Sequence, residues 1–183
     1  MGKNLSRISG CLIFLGGLLA LRGSIASPPV STCPIDIEPL TDRLLQDLPS
    51  YANRVIQRSR SVVDGNRSLY IPLYVIIAGR PEFEPLPLRV APSEAPPRVP
   101  DTTQQVFFTT LENQYDSTRQ VRLQNFHWLF LTRTTQGWRL VTLYTQLAAI
   151  PPSPPLPPVE TSSGSIGQAI RLWLRDCEAG ALR

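Results

Sequence analysis

The sequence predicts an α+β domain: a bent N-terminal helix packed on a four-stranded antiparallel meander, followed by a C-terminal helix. Three observations predict it. Apolar residues recur at helical spacing over residues 37–56 and again over 166–174. Four runs rich in β-branched and aromatic residues lie between them, and the last three of these are joined by short turns.

Residues 1–26, MGKNLSRISGCLIFLGGLLALRGSIA, read as a secretory signal peptide. Lys3 and Arg7 form a basic start, Cys11 to Leu21 form an apolar run, and Ser24 and Ala26 supply the small residues of a cleavage site. The competing reading is a membrane anchor. The apolar run has 11 residues, which span about 16 Å as a helix against roughly 30 Å of hydrocarbon. An uncleaved short anchor remains the alternative to cleavage after Ala26, and any membrane contact is expected through that segment alone. A lipid on Cys11 is a third option, but Cys11 opens the apolar run, whereas a lipoprotein box closes it.

Cleavage changes the charge. Loss of Lys3, Arg7 and Arg22 lowers the basic count from 18 to 15 against 14 acidic residues, which brings the net charge from +4 to near +1. A basic pI points to nucleic acid only when the charge clusters on the folded domain. Here most of the excess belongs to the export signal, and no nucleic-acid partner is expected. The remaining basic side chains are all arginine; genome composition is the simpler account, and bidentate pairing with carboxylates is the functional one.

Cleavage also removes Cys11 and leaves Cys33 and Cys177. Two cysteines in an oxidising compartment predict a disulfide. Closing a loop of about 145 residues contributes roughly 5 kcal/mol in the chain-entropy model. The alternatives are two buried thiols, or a redox or metal-binding role. No CxxC is present and the sole histidine cannot complete a zinc site, so no metal and no cofactor is expected.

Residues 27–150 are expected to form the core domain. Ile37, Leu40, Leu44, Leu45, Leu48, Tyr51, Ala52, Val55 and Ile56 fall on one helical stripe whose register continues across Pro49. That predicts one bent helix or two nearly collinear ones, with Pro49 on the solvent side. Pro39 suits the first turn. Asp36 and Glu38 at the start, with Arg54, Arg58 and Arg60 at the end, complement the macrodipole. DGNRS is then a turn, and LYIPLYVIIAG is a strand that Pro72 assigns to an edge or a bulge.

Residues 80–104 carry seven prolines and are expected to be a long extended loop. QVFFTTLENQ, RQVRLQNFHWLFLTR and WRLVTLYTQLA come next as strands, with turns at 115–118 and at TTQG. Residues 151–164 form a Pro/Ser-rich linker whose prolines impose extension and whose serines are expected to cap the final helix. Residues 165–183 hold that C-terminal helix, about Ser165 to Glu178, which buries Ile166, Ala169, Ile170, Trp173 and Leu174 and docks on the core. In this picture the two cysteines lock a loosely tethered helix beside the start of the first. The element order has a cystatin or NTF2-like outline, which carries no function with it.

Candidate chemistry is sparse, and no catalytic residue is assigned. His127 is the sole histidine; in NFHWLFL both faces of its strand are apolar, which predicts a strand covered on two sides or an oligomer contact. It reads as a buried structural histidine, with a general base in a cone-shaped pocket as the alternative. Glu82 and Glu84 in GRPEFEP share one side if extended, next to Arg80. A solvated loop is the bland reading and a ligand or partner contact the functional one. Tyr115 completes this set of candidate contacts. PPSPPLPP contains PxxP spacings, and a tether outweighs a docking motif there. Asn66 fits a glycosylation sequon.

The blocks DLPSYANRVIQRSR, LYVIIAGRPEFEPLPL, QVFFTTLENQY, FHWLFLTRTTQGWRL and IGQAIRLWLRDCEAG resemble a family of uncharacterised exported proteins of cyanobacteria. The resemblance implies a bacterial periplasm or thylakoid lumen and argues against glycosylation at Asn66. It brings no activity, cofactor or catalytic residue. The expected function is a disulfide-clasped binding or assembly module without catalysis, engaging a protein partner or forming a homo-oligomer. The alternative is a small-ligand carrier or enzyme whose pocket takes His127, Tyr115 or the Glu82/Glu84 pair.

Overall fold

The computed structural model describes residues 33–60, 74–89, 99–100, 102–116, 119–148, 154 and 156–182, without the side chains of residues 60, 114–116 and 119–120. The expected signal segment 1–26, the expected turn at DGNRS with Asn66, Pro72, and much of the expected loop and linker lie outside the described residues.

The expected helical stripe is one continuous helix, α1, Ile37–Arg60, with Pro49 inside it. The carbonyl of Asp36 accepts the first helical bond from Leu40, so Pro39 falls in the first turn, where its missing N–H costs nothing. Leu40, Leu44, Leu45, Leu48, Ala52, Val55 and Ile56 are buried along one face.

Four strands form the meander: β1 (Tyr74–Glu82), β2 (Thr103–Asp116), β3 (Arg119–Thr134) and β4 (Gly137–Gln146). Each pairs antiparallel with the next in chain order. β1 is an edge strand, and it runs three residues into the stretch expected as loop. A bulge explains this. The ladder passes from Ala78↔Thr109 to Glu82↔Phe107, with Gly79 at φ +88°. Arg80 and Pro81 fall in the interruption, where a residue without an N–H breaks no ladder bond.

The linker expected over 151–164 adds a fifth strand, β5 (Val159–Glu160), paired with Tyr144 and Thr145 of β4. The second helix, α2, is Ser165–Glu178. The expected serine cap is not what starts it: Gly164 is the N-cap, without a side-chain cap bond. The neighbouring serines act through their carbonyls instead. Gln168 Nε2 donates to Ser163 O, and Arg171 donates to Ser162 O.

Both helices lie on one face of the sheet. Their apolar faces meet Val75, Val106, Phe108, Leu129, Leu131, Trp138 and Leu143 in the main core. The opposite face carries Trp128, Phe130 and Tyr144, packed with Phe107, Phe126 and Val141. Leu86, Leu88 and Val99 of the proline-rich loop lie over it, and Gln105 Nε2 donates to Leu86 O at 3.1 Å. The doubly apolar strand is thus covered on its outer face by its own chain. No described helix is long and apolar enough to cross a membrane.

Candidate functional site

The two cysteines are bonded. Cys33 lies just before α1 and Cys177 in the last turn of α2, with Cα atoms 5.1 Å apart and 144 positions between them in sequence. Two further bonds tie α1 to α2, Trp173 Nε1 to Asp47 at 2.8 Å and Tyr51 Oη to Asp176 at 3.0 Å, and a third, Trp138 Nε1 to Pro34 O at 3.0 Å, ties β4 to the segment before α1. Burial raises the Asp176 carboxyl, but hydrogen bonds from Arg175 and Tyr51 and the charges of Arg175 and Arg54 outweigh it and hold the group below its ordinary range.

Among the described side chains, Arg80, Glu82 and Glu84 do not converge with His127. Arg80, Glu82 and Glu84 are exposed. Glu82 pairs with Phe107, whose ring belongs to the outer face, and directly opposed residues share a face. His127 points to the inner face, in register with Phe108 and Thr145. Tyr115 lies near the end of β2, and its side chain is outside the described residues.

Around His127 the inner face changes from apolar to polar. Thr110, Glu112, Asn125, His127 and Thr145 are all buried. All but Asn125 form a chain of hydrogen bonds across the sheet. Thr110 Oγ1 reaches Glu112 Oε1 at 3.3 Å and His127 Nε2 at 2.8 Å. His127 Nδ1 meets Thr145 Oγ1 at 3.0 Å, and Thr145 Oγ1 meets Thr161 Oγ1 at 2.6 Å, just past β5. The imidazole also stacks on Phe108, with ring centroids 4.7 Å apart.

Burial sets the electrostatics of this row. It lowers the His127 pKa to about 3, so the ring is neutral, with one donor nitrogen and one acceptor. Burial also raises the Glu112 carboxyl, only partly offset by Asn125 and Thr110. Asn125 Oδ1 accepts from Ala148 N at 2.9 Å, while its Nδ2 is buried without a hydrogen-bond partner. Asn125 therefore favours the Glu112 carboxylate by proximity, not through a bond of normal geometry.

Glu112, Thr110, Asn125 and Thr145 were not among the sequence candidates. A signal existed for two of them. Val106 and Phe108 are core residues, and the two-residue period of a strand places Thr110 and Glu112 on the same side.

The surface offers a second feature. A groove of about 330 Å³ runs between β4 and α2, lined by Trp138, Arg139, Leu140, Arg171, Leu174, Arg175 and Glu178. Its floor is apolar and its rim carries three exposed arginines. Arg139 and Arg171 each commit one terminal nitrogen to a backbone carbonyl, and Arg175 pairs with Asp176 at 2.8 Å. Glu178 accepts from Trp138 N at 3.2 Å. The groove is built on α2, the helix that carries Cys177. No family model, curated protein or solved structure matches the chain.

Proposed function

We propose that the chain is an exported, disulfide-clasped α+β domain that binds a partner protein without catalysing a reaction, and that it does so through the groove between β4 and α2. One contrast carries this reading. His127, the sole histidine, is 1% exposed with both ring nitrogens engaged by threonines, whereas the arginine-rimmed groove lies open. A general base must reach a substrate proton, and a buried ring with two partners does not.

The occupant that fits is an acidic segment with apolar residues between its carboxylates. Guanidinium forks match carboxylates bidentately, and Leu140 with Leu174 offers an apolar floor. A second copy docked by two-fold symmetry would bring the same arginines against themselves, which disfavours a homo-oligomer here. Residence in a periplasm or thylakoid lumen, as the cyanobacterial resemblance implies, is part of the same proposal and keeps the disulfide oxidised.

The test is fluorescence anisotropy of a labelled peptide alternating leucine with pairs of glutamate. Saturable binding is expected, weakened by salt and lost in Arg171→Glu/Arg175→Glu. No binding, or equal binding by that variant, overturns the reading. Binding of anionic vesicles instead would make the groove a membrane-facing surface.

A further inference from the structure

The hydrogen-bond row from Glu112 to Thr161 has a property that none of its members has alone. Each threonine hydroxyl carries one proton and can donate once, and a neutral imidazole donates from one nitrogen and accepts at the other. The direction of one bond therefore fixes the next. When Glu112 is ionised it can only accept, so Thr110 donates to it. Thr110 must then accept from His127 Nε2–H, His127 Nδ1 accepts from Thr145, and Thr145 accepts from Thr161.

When Glu112 carries a proton and donates it to Thr110, every bond reverses. Thr110 donates to Nε2, Nδ1–H donates to Thr145, and Thr145 donates to Thr161. The Thr161 hydroxyl is then released toward Leu143 O, 3.4 Å away, which already accepts from Thr161 N at 2.7 Å. Both directions satisfy every member of the row with the same heavy-atom positions.

We propose that the protonation state of Glu112 selects the tautomer of His127 and, through it, the hydrogen-bond direction at the junction between β5 and α2. This goes beyond the binding reading and does not rest on it. Thr161 lies at that junction, where its carbonyl accepts from Gly164 N at 2.8 Å, one residue before α2 begins. A proton arriving on β2 is thus reported across β3 and β4 at the element that carries one wall of the groove.

Few other groups intervene. Opposite Glu112, β1 places Val75 and β3 places Leu123, and the Val75 backbone is itself bonded to the Asn53 amide of α1. Among the described residues the polar groups that act on its carboxyl are Asn125 and Thr110, and no charged side chain does. Around His127 stand Phe108, Thr110 and Thr145. Burial places the Glu112 titration above the ordinary carboxyl range and keeps His127 neutral while it occurs.

The chain has one histidine, so heteronuclear NMR of the full oxidised protein reads this residue without ambiguity. The expected result is an Nε2–H tautomer while Glu112 is ionised that converts to Nδ1–H as Glu112 takes up its proton, tracked in parallel on its side-chain carboxyl carbon. Glu112→Leu removes the acceptor that orients Thr110 and fills the site with an apolar side chain of similar reach. It should show the Nδ1–H tautomer at every pH at which the protein is folded. One unchanging tautomer through the Glu112 titration, an imidazolium in the folded protein, or an Nε2–H tautomer in Glu112→Leu would each overturn the proposal.

Discussion

The carboxylate of Glu178 fills the space that a side chain on Gly137 would need. A Cβ added at Gly137 would lie 2.0 Å from Glu178 Cδ, and Gly137 sits at φ +95°. The same carboxylate accepts from Trp138 N, so the start of β4 and the last turn of α2 are fitted to each other. Gly137→Ala imposes about 1–2 kcal/mol of backbone strain and displaces a hydrogen bond worth about 1 kcal/mol. The expected loss, read from the urea midpoint at constant m, is roughly 2–3 kcal/mol. In a Glu178→Ala background the same substitution should cost about 1 kcal/mol less, and absence of that coupling would refute the fit.

Gly167 gives a prediction of opposite sense to helix propensity. It lies in the first turn of α2, where alanine is ordinarily better than glycine by about 1 kcal/mol. Here an added Cβ would lie 2.2 Å from Ser162 O and 2.8 Å from Ser162 Cα, both backbone atoms. Backbone cannot rotate aside as a side chain can. Gly167→Ala should therefore lower stability by at least about 2 kcal/mol, or several degrees in Tm for a chain of this size. A rise in Tm would show that α2 is free to shift away from β5.

Reading the sequence succeeded where periodicity was strong and failed where a contact depended on the folded surface. The stripe from Ile37 to Ile56 and the face Ile166 to Leu174 were recognisable because 3.6-residue spacing is hard to produce by accident. The clasp was legible from the cysteine count, read with an expected oxidising compartment. Val159 and Glu160 gave no strand signal, because a two-residue strand draws its order from the edge of β4. Leu86, Leu88 and Val99 sit among prolines that read as loop, and only the apolar outer face of β3 reveals what they cover. Glu112 is not legible in the sequence because a carboxylate is expected outside, and its burial depends on the neighbours that solvate it.

Stability should fall in acid through His127. Its folded pKa of about 3 lies below the ordinary 6.5, so the unfolded chain binds more protons between those values and stability rises with pH there. The contribution is fully present above pH 6.5 and is lost as pH drops toward 3, with an upper size on the order of 5 kcal/mol. Glu112 has the opposite sign. Its raised folded pKa costs stability above that value and nothing below the unfolded one. Glu112→Leu should therefore stabilise the protein at neutral pH and steepen its loss in acid, measured by denaturant melts across the pH range. An unchanged slope would mean that Glu112 is solvated in the folded state.

The disulfide should act mainly on the unfolded chain. Cys33 and Cys177 join two ends of the fold already tied by Trp173 to Asp47 and Tyr51 to Asp176, with Pro34 held separately by Trp138 of β4, so the native contacts do not require the bond. A link across 144 positions restricts the denatured ensemble, and its removal costs up to about 5 kcal/mol. Cys33→Ala/Cys177→Ala should lower the urea midpoint and also raise m, because the freed chain exposes more surface on unfolding. Near-UV circular dichroism in the absence of urea should keep the signals of buried Trp138 and Trp173, provided the variant still folds. A lowered midpoint with unchanged m, and weakened tryptophan signals before the transition, would instead mean that the bond holds α2 in place by native-state contact.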